Sequence, residues 1–256
     1  MTKGGALHDR VDRTKRFDLP GTTIFIGLRI ADVFLQYSLL RRGWASRLIE
    51  FCGGTPVGAG QLLATTGSQL QPYFAVISLM SLGSSLKQIL TTIFVTETAF
   101  TPKIATIVAV FNTVINGLNT IFSVWSATSQ VPEQGGLLAI SQSPVILAGT
   151  AFYLIGIFME MVSELQRTQF KKDPANKGKP FDGGLFALAR HVNYGGYTIW
   201  RAAFSFTAGG WPWSLFMFSY FSYDFAARGI PVLDQYLQGR VSLPNYTFWS
   251  FVLIWS

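Results

Sequence analysis

Several groups of polar residues in this chain have the types and spacing to do chemistry. Asn112, Asn116 and Asn119 recur at i, i+4 and i+7 in the run FNTVINGLNT, which puts three amides on one helical face. Inside a bundle such a face either lines a substrate cleft or ties helices together through hydrogen bonds. Lys87 and Glu97 invite the same two readings. Arg190, His191, Asn193, Tyr194 and Tyr197 follow a Gly183-Gly184 pair in the run GGLFALARHVNYGGYTIW, at the entry to an apolar segment. Polar groups are costly there and mark a functional site by default. Just upstream, Arg167, Lys171, Lys172, Lys177 and Lys179 carry enough positive charge to hold a phosphorylated cofactor. Basic residues also gather at the cytosolic ends of membrane spans for topology alone. Glu160 and Glu164, one turn apart, read as paired acids or, more commonly, as solvated carboxylates at a membrane edge.

Other chemistries find little support. The only histidines are His8 and His191, and no His, Cys and carboxylate spacing suits zinc. No GxxxxGK[ST] phosphate cradle occurs. The lone Cys52 has no intrachain disulfide partner and reads as a small hydrophobe or an acylation site.

The elements that position these residues follow from composition. The 256 residues are 49% hydrophobic and 13% charged, with a mean hydropathy of +0.34. Soluble domains carry about a quarter charged residues, so a soluble globule and a disordered chain are both excluded. The expected architecture is an all-α, polytopic transmembrane bundle of about five or six spans. The net charge of +7 flanks apolar segments and forms no basic stripe with interleaved aromatics, so nucleic acid is not an expected partner. The lipid bilayer and a hydrophobic small molecule are.

Spans are predicted over Gly21–Leu40, Pro72–Val95, Ile104–Val131 and Leu137–Val162, with Pro144 kinking or beginning the last of these. Arg29 and Asp32 share one face of the first span and either neutralise each other in the interior or lie at headgroup level. Residues 202–223 are interrupted by Gly209-Gly210-Trp211-Pro212, which favours a tight helical hairpin. The positive-inside rule places residues 164–190 in the cytosol, with six basic and three acidic side chains. Arg41, Arg42 and Arg47 then fall on the wrong side unless 42–51 forms an interfacial helix.

The GGLF and ARHVNYGGY elements, with Glu164-Leu165-Gln166 upstream and Arg228-Gly229-Ile230-Pro231 downstream, resemble the steroid 5α-reductase C-terminal superfamily. The resemblance is to its branch called domain of unknown function 1295. Relatives include NADPH-dependent reductases of conjugated C=C bonds and methyltransferases that use S-adenosylmethionine. The resemblance implies a reductase of a lipid, steroid-like or terpenoid substrate in the endoplasmic reticulum, with NADPH as cofactor. The alternatives are S-adenosylmethionine-dependent methyl transfer and a silent scaffold or lipid binder. In the reductase, Arg167, Lys171, Arg190, His191, Asn193, Tyr194, Tyr197 and Arg228 form the cofactor site. Asn112, Asn116 and Asn119 face substrate, and Glu97 or Tyr73 is the general acid, each with a structural alternative. No metal is expected.

Two departures stand out. Val192 occupies the family's Pro position. Tyr197 replaces a Glu that in the reductases holds the nicotinamide amide, which removes a strong acceptor from the reacting end. By this reading residues 1–20 are a cytosolic polar tail, 21–162 the N-terminal transmembrane helices, 163–240 the cofactor region and 241–256 an atypical hydrophobic tail. That tail reads as a short anchor or as translation of an unspliced intron, because Val-Ser is what common splice-donor hexamers encode.

Overall fold

A computed structural model describes residues 16–58, 62, 70–133 and 136–233. The tail at 241–256 and most of the segment at 1–20 lie outside the described residues. Within them the chain is helical throughout, with no strand: α1 (Leu19–Arg41), α2 (Trp44–Phe51), α3 (Pro72–Phe94), α4 (Pro102–Val124), α5 (Leu137–Ser141), α6 (Pro144–Lys172) and α7 (Val192–Asp224). Single 3-10 turns at Pro174–Asn176 and Gly184–Ala187 join α6 to α7.

Helices α1, α3, α4 and α6 are long and apolar enough to cross a membrane. All four carry a proline in the first turn, where its missing N–H costs nothing and its fixed φ suits a helix. Asp18 caps α1 by accepting from Gly21 N at 2.9 Å. Ser143 caps α6, so Pro144 begins that helix rather than kinking it. Helix α4 stops at Val124 instead of the expected Val131. Trp125 leaves helical geometry, and the Thr128 and Ser129 hydroxyls donate to the orphaned carbonyls of Phe122 and Ser123 at 2.7 and 2.6 Å. Helix α6 runs to Lys172, one helical stretch beyond its expected end.

Helix α7 is a hairpin. Gly210 adopts φ 73°, which L side chains rarely tolerate. The chain reverses there, so Ser214 Oγ donates to Ala202 O at 2.9 Å across twelve residues. Four of the expected five or six spans are present as long apolar helices, and the α7 hairpin is not among them. Helix α2 is the separate short helix anticipated for the arginine-flanked stretch 42–51.

The bundle is apolar outside and holds a polar network beside its hydrophobic core within. Phe34, Leu79, Leu154 and Phe158 are each more than half exposed, whereas Arg29, Gln36, Asn116 and Arg201 are essentially buried. That inversion suits a lipid surround, where helix association draws on packing and interhelical hydrogen bonds. Helices α6 and α7 meet at backbone distance. A Cβ on Gly156 would stand 2.5 Å from Trp200 N, and one on Gly196 would stand 2.6 Å from Glu160 N. This contact fixes the relative height of Glu160 and Trp200, which both belong to the interior described next.

Candidate functional site

Two polar regions emerge. One lies at the end of the bundle where α6 finishes and α7 begins. Asn193 Nδ2 donates to Glu164 Oε1 at 2.6 Å, and Arg167 pairs with the other oxygen of Glu164. Arg167 also lies over the Phe186 ring, and Phe186, Phe181 and Phe170 follow in edge or tilted contact. Beside them is an open cleft of about 590 Å³ lined by Leu165, Gln166, Gln169, Phe170, Phe181 and Gly184. Gln166 Oε1 accepts from Leu185 N at 2.9 Å, which pins the glycine turn against α6. The rings of His191, Tyr194 and Phe225 stack in a near-parallel column, with centroids 5.6 and 4.4 Å apart.

The second region is the interior, to which α1, α3, α4, α6 and α7 all contribute. Asp32 Oδ2 pairs with Arg29 at 3.0 Å and accepts from Asn116 Nδ2 at 2.8 Å. Gln36 donates to Asp32 Oδ1 at 2.8 Å and accepts from Thr120 at 2.7 Å. Glu160 pairs with Lys87 and accepts from Trp200 Nε1 at 2.6 Å. Arg201 donates to Asn112 Oδ1, which also accepts from Gln88 Nε2 at 2.6 Å. Arg201 Nε donates to the Tyr197 hydroxyl at 3.1 Å. Ser205 Oγ and Trp213 Nε1 donate to Asn119 Oδ1 at 3.1 and 2.7 Å. The Asn triad therefore does tie helices together.

The residues anticipated for one cofactor site are divided between these regions. Arg167, Lys171, Arg190, His191, Asn193 and Tyr194 gather at the α6–α7 end. Arg228 also lies there, exposed, and forks onto Asp224 at 2.9 and 2.6 Å; those bonds hold its guanidinium above the usual arginine range. Tyr197 turns inward, its ring packed against Trp200, Phe221 and Phe225. Glu97 is exposed in the loop between α3 and α4. Tyr73 is fully buried at the opposite end of the bundle, donating to the Thr207 and Ala208 carbonyls and accepting from Gln130 N. Glu97 and Tyr73 are thus not brought together. Tyr73→Phe should cost about 1–2 kcal/mol of stability through the lost buried hydrogen bonds and leave turnover unchanged, which thermal unfolding beside an activity assay would show.

Glu160 and Glu164 correct the commoner expectation of solvated carboxylates. Both side chains are 13% exposed and ion-paired. Arg201 became visible as a site residue only in the fold, and Lys87, marked in the sequence, gained its partner Glu160 there.

Residues 88–248 match the family described as protein of unknown function (DUF1295). The chain belongs to the DUF1295 family. A relative from Ustilaginoidea virens, named "Probable O-methyltransferase ustE", is 34% identical over 241 residues, covering 91% of this chain and 84% of its own length. No solved structure matches. The DUF1295 match spans the cleft, the Asn triad and Tyr197, and runs past Arg240. Helix α1 and Lys87 lie before it. No group of three His, Cys, Asp or Glu side chains fit to hold a metal ion occurs among the described residues.

Proposed function

We propose that this DUF1295 protein is a membrane methyltransferase of the endoplasmic reticulum, which transfers the methyl group of S-adenosylmethionine to an oxygen of a hydrophobic small molecule. The observation that carries the reading is the likeness, over 91% of the chain, to a protein named as an O-methyltransferase. The residue that replaces the reductases' Glu supports it: Tyr197 turns into the bundle and its hydroxyl accepts from Arg201.

The α6–α7 end suits the cofactor. Small-molecule sites occupy roughly 300–1,000 Å³, and the cleft beside Phe170 and Phe181 lies in that range at about 590 Å³. Those rings would stack on adenine, with Gln169 beside them. Glu164 and Arg167 offer opposite charges to the ammonium and carboxylate of the methionyl group. When bound, the sulfonium supplies an activated methyl group. NADPH-dependent reduction keeps the cluster of basic residues from Arg167 to Lys179 in its favour. It lacks the nicotinamide-holding carboxylate.

The test is transfer of labelled methyl from S-adenosylmethionine into solvent-extractable products, by membranes carrying the chain. Asn193→Ala releases Glu164 from its 2.6 Å tie and should cut the rate about tenfold or more, as loss of a charge-assisted hydrogen bond would. Absence of labelled product above control membranes would sink the reading.

A further inference from the structure

Among the described residues the interior carries an uncompensated positive charge. Its buried ionic side chains are Arg29, Lys87 and Arg201 against Asp32 and Glu160. Arg29 is paired with Asp32 and Lys87 with Glu160, which leaves Arg201. This guanidinium is 1% exposed, and its described partners are neutral: Asn112 Oδ1 and the Tyr197 hydroxyl. It lies 4.2 Å from the Trp200 ring and 5.1 Å from that of Tyr197. Its Nη1 has no hydrogen-bond partner among the described residues.

Neighbouring polar atoms are orphaned too. Arg29 Nε, Gln88 Oε1, Asn116 Oδ1 and Asn119 Nδ2 are all buried without a partner among the described residues. Native interiors rarely leave such groups unpaired, and several in one network call for an occupant. Two of these orphan donors, Arg201 Nη1 and Arg29 Nε, belong to cations. A bare cation among aromatic rings is stabilised by an anion that also has apolar area to bury.

We propose that Arg201 binds the anionic oxygen of a hydrophobic, ring-bearing acid, through Nη1, in the polar interior between α1, α3, α4 and α7. The chemistry is shared by an acidic ring hydroxyl and a carboxyl group. Calling this anion the substrate rests on the methyl-transfer reading; its binding does not. As substrate it would release its proton to water on binding. Its oxygen then forms the new O–C bond, while the methyl–sulfur bond breaks and its electron pair stays on sulfur as a neutral thioether.

Tyr197 gives the site its polarity. A carboxylate at that position would lie one turn from Arg201, at i, i+4, and neutralise it from within. Around Arg201 the charged or titratable groups are Arg29 and Asp32 on α1, Lys87 on α3, Glu160 and Tyr153 on α6 and Tyr197 on α7; α4 contributes uncharged amides and hydroxyls.

The experiment titrates the purified full chain in lipid nanodiscs with 2-naphthoate, 2-naphthol and neutral 2-methoxynaphthalene. Naphthoate is expected to bind at least about tenfold tighter than the methoxy compound, a difference within reach of one buried charge pair. Naphthol affinity should climb about tenfold per pH unit between pH 6 and 8, because only its ionised form is held. Whichever acid binds tighter at matched ionisation identifies the source of the anion. Arg201→Gln removes the charge, and Tyr197→Glu keeps Arg201 but supplies an internal counter-ion. Both should abolish the preference, and Arg201→Lys should retain part of it. The proposal is overturned if the neutral compound binds as tightly as naphthoate, or if the preference survives in Tyr197→Glu with the chain folded. S-adenosylmethionine binding is read separately: anion binding without cofactor binding refutes the methyl-transfer reading and leaves this site standing.

Discussion

Replacing Glu160 with alanine is expected to lower folding stability by about 3–5 kcal/mol, the usual cost of stranding one half of a buried ion pair. The loss has two parts. Lys87, only 5% exposed, keeps its charge and loses its described carboxylate partner. Trp200, fully buried, loses the acceptor of its indole N–H. Glu160→Gln should fall between the parent and the alanine variant, because an amide oxygen can still accept from Trp200. Replacing both partners, Lys87→Met with Glu160→Met, should recover most of the loss, since no charge is then stranded. Thermal unfolding of the four proteins in one detergent checks this. Equal stability of Glu160→Ala and the double variant would show that the pair contributes no coupling.

Gly196→Leu should be more damaging, at about 4 kcal/mol or more, beyond the range of ordinary overpacking. The obstacle is backbone, not a movable side chain: a Cβ at this position meets Glu160 N at 2.6 Å and Gly156 O at 2.9 Å. Helices α6 and α7 would have to part, which separates Asn193 from Glu164 and Trp200 from Glu160 together. Folded yield by size-exclusion chromatography is expected to collapse. Gly27→Leu, on an outer face of α1 where a Cβ meets nothing within 4 Å, is the matched control and should elute as the parent does.

The frame of the molecule was legible because its signals are local. A proline in the first turn, a long apolar run and a Gly-Gly-x-Pro reversal each act within a few residues, and α1, α3 and the α7 hairpin form where those signals fall. The shared face of Asn112, Asn116 and Asn119 was legible for the same reason, through helical spacing alone. Helix α4 ends early because two hydroxyls beyond its end satisfy its last carbonyls, a tertiary choice that hydropathy does not register. The interior pairs were not legible. Lys87 and Glu160 are 73 positions apart and Asn112 and Arg201 are 89 apart, so their meeting depends on which helix faces lie together. Glu160 looks like a membrane-edge carboxylate until α6 is seen to continue another twelve residues to Lys172. Tyr197 was noticed for the acceptor it lacks. The fold adds that it turns toward Arg201, whose described partners are uncharged.

Methyl transfer by this chain depends on the cofactor it binds. The most direct measurement is equilibrium binding of S-adenosylmethionine and NADPH, titrated side by side onto the purified full chain in detergent. Saturable binding of S-adenosylmethionine is expected, weakened about tenfold in Asn193→Ala, with NADPH failing to compete. Saturable NADPH binding that S-adenosylmethionine cannot displace would contradict methyl transfer, and would restore the reductase in spite of Tyr197.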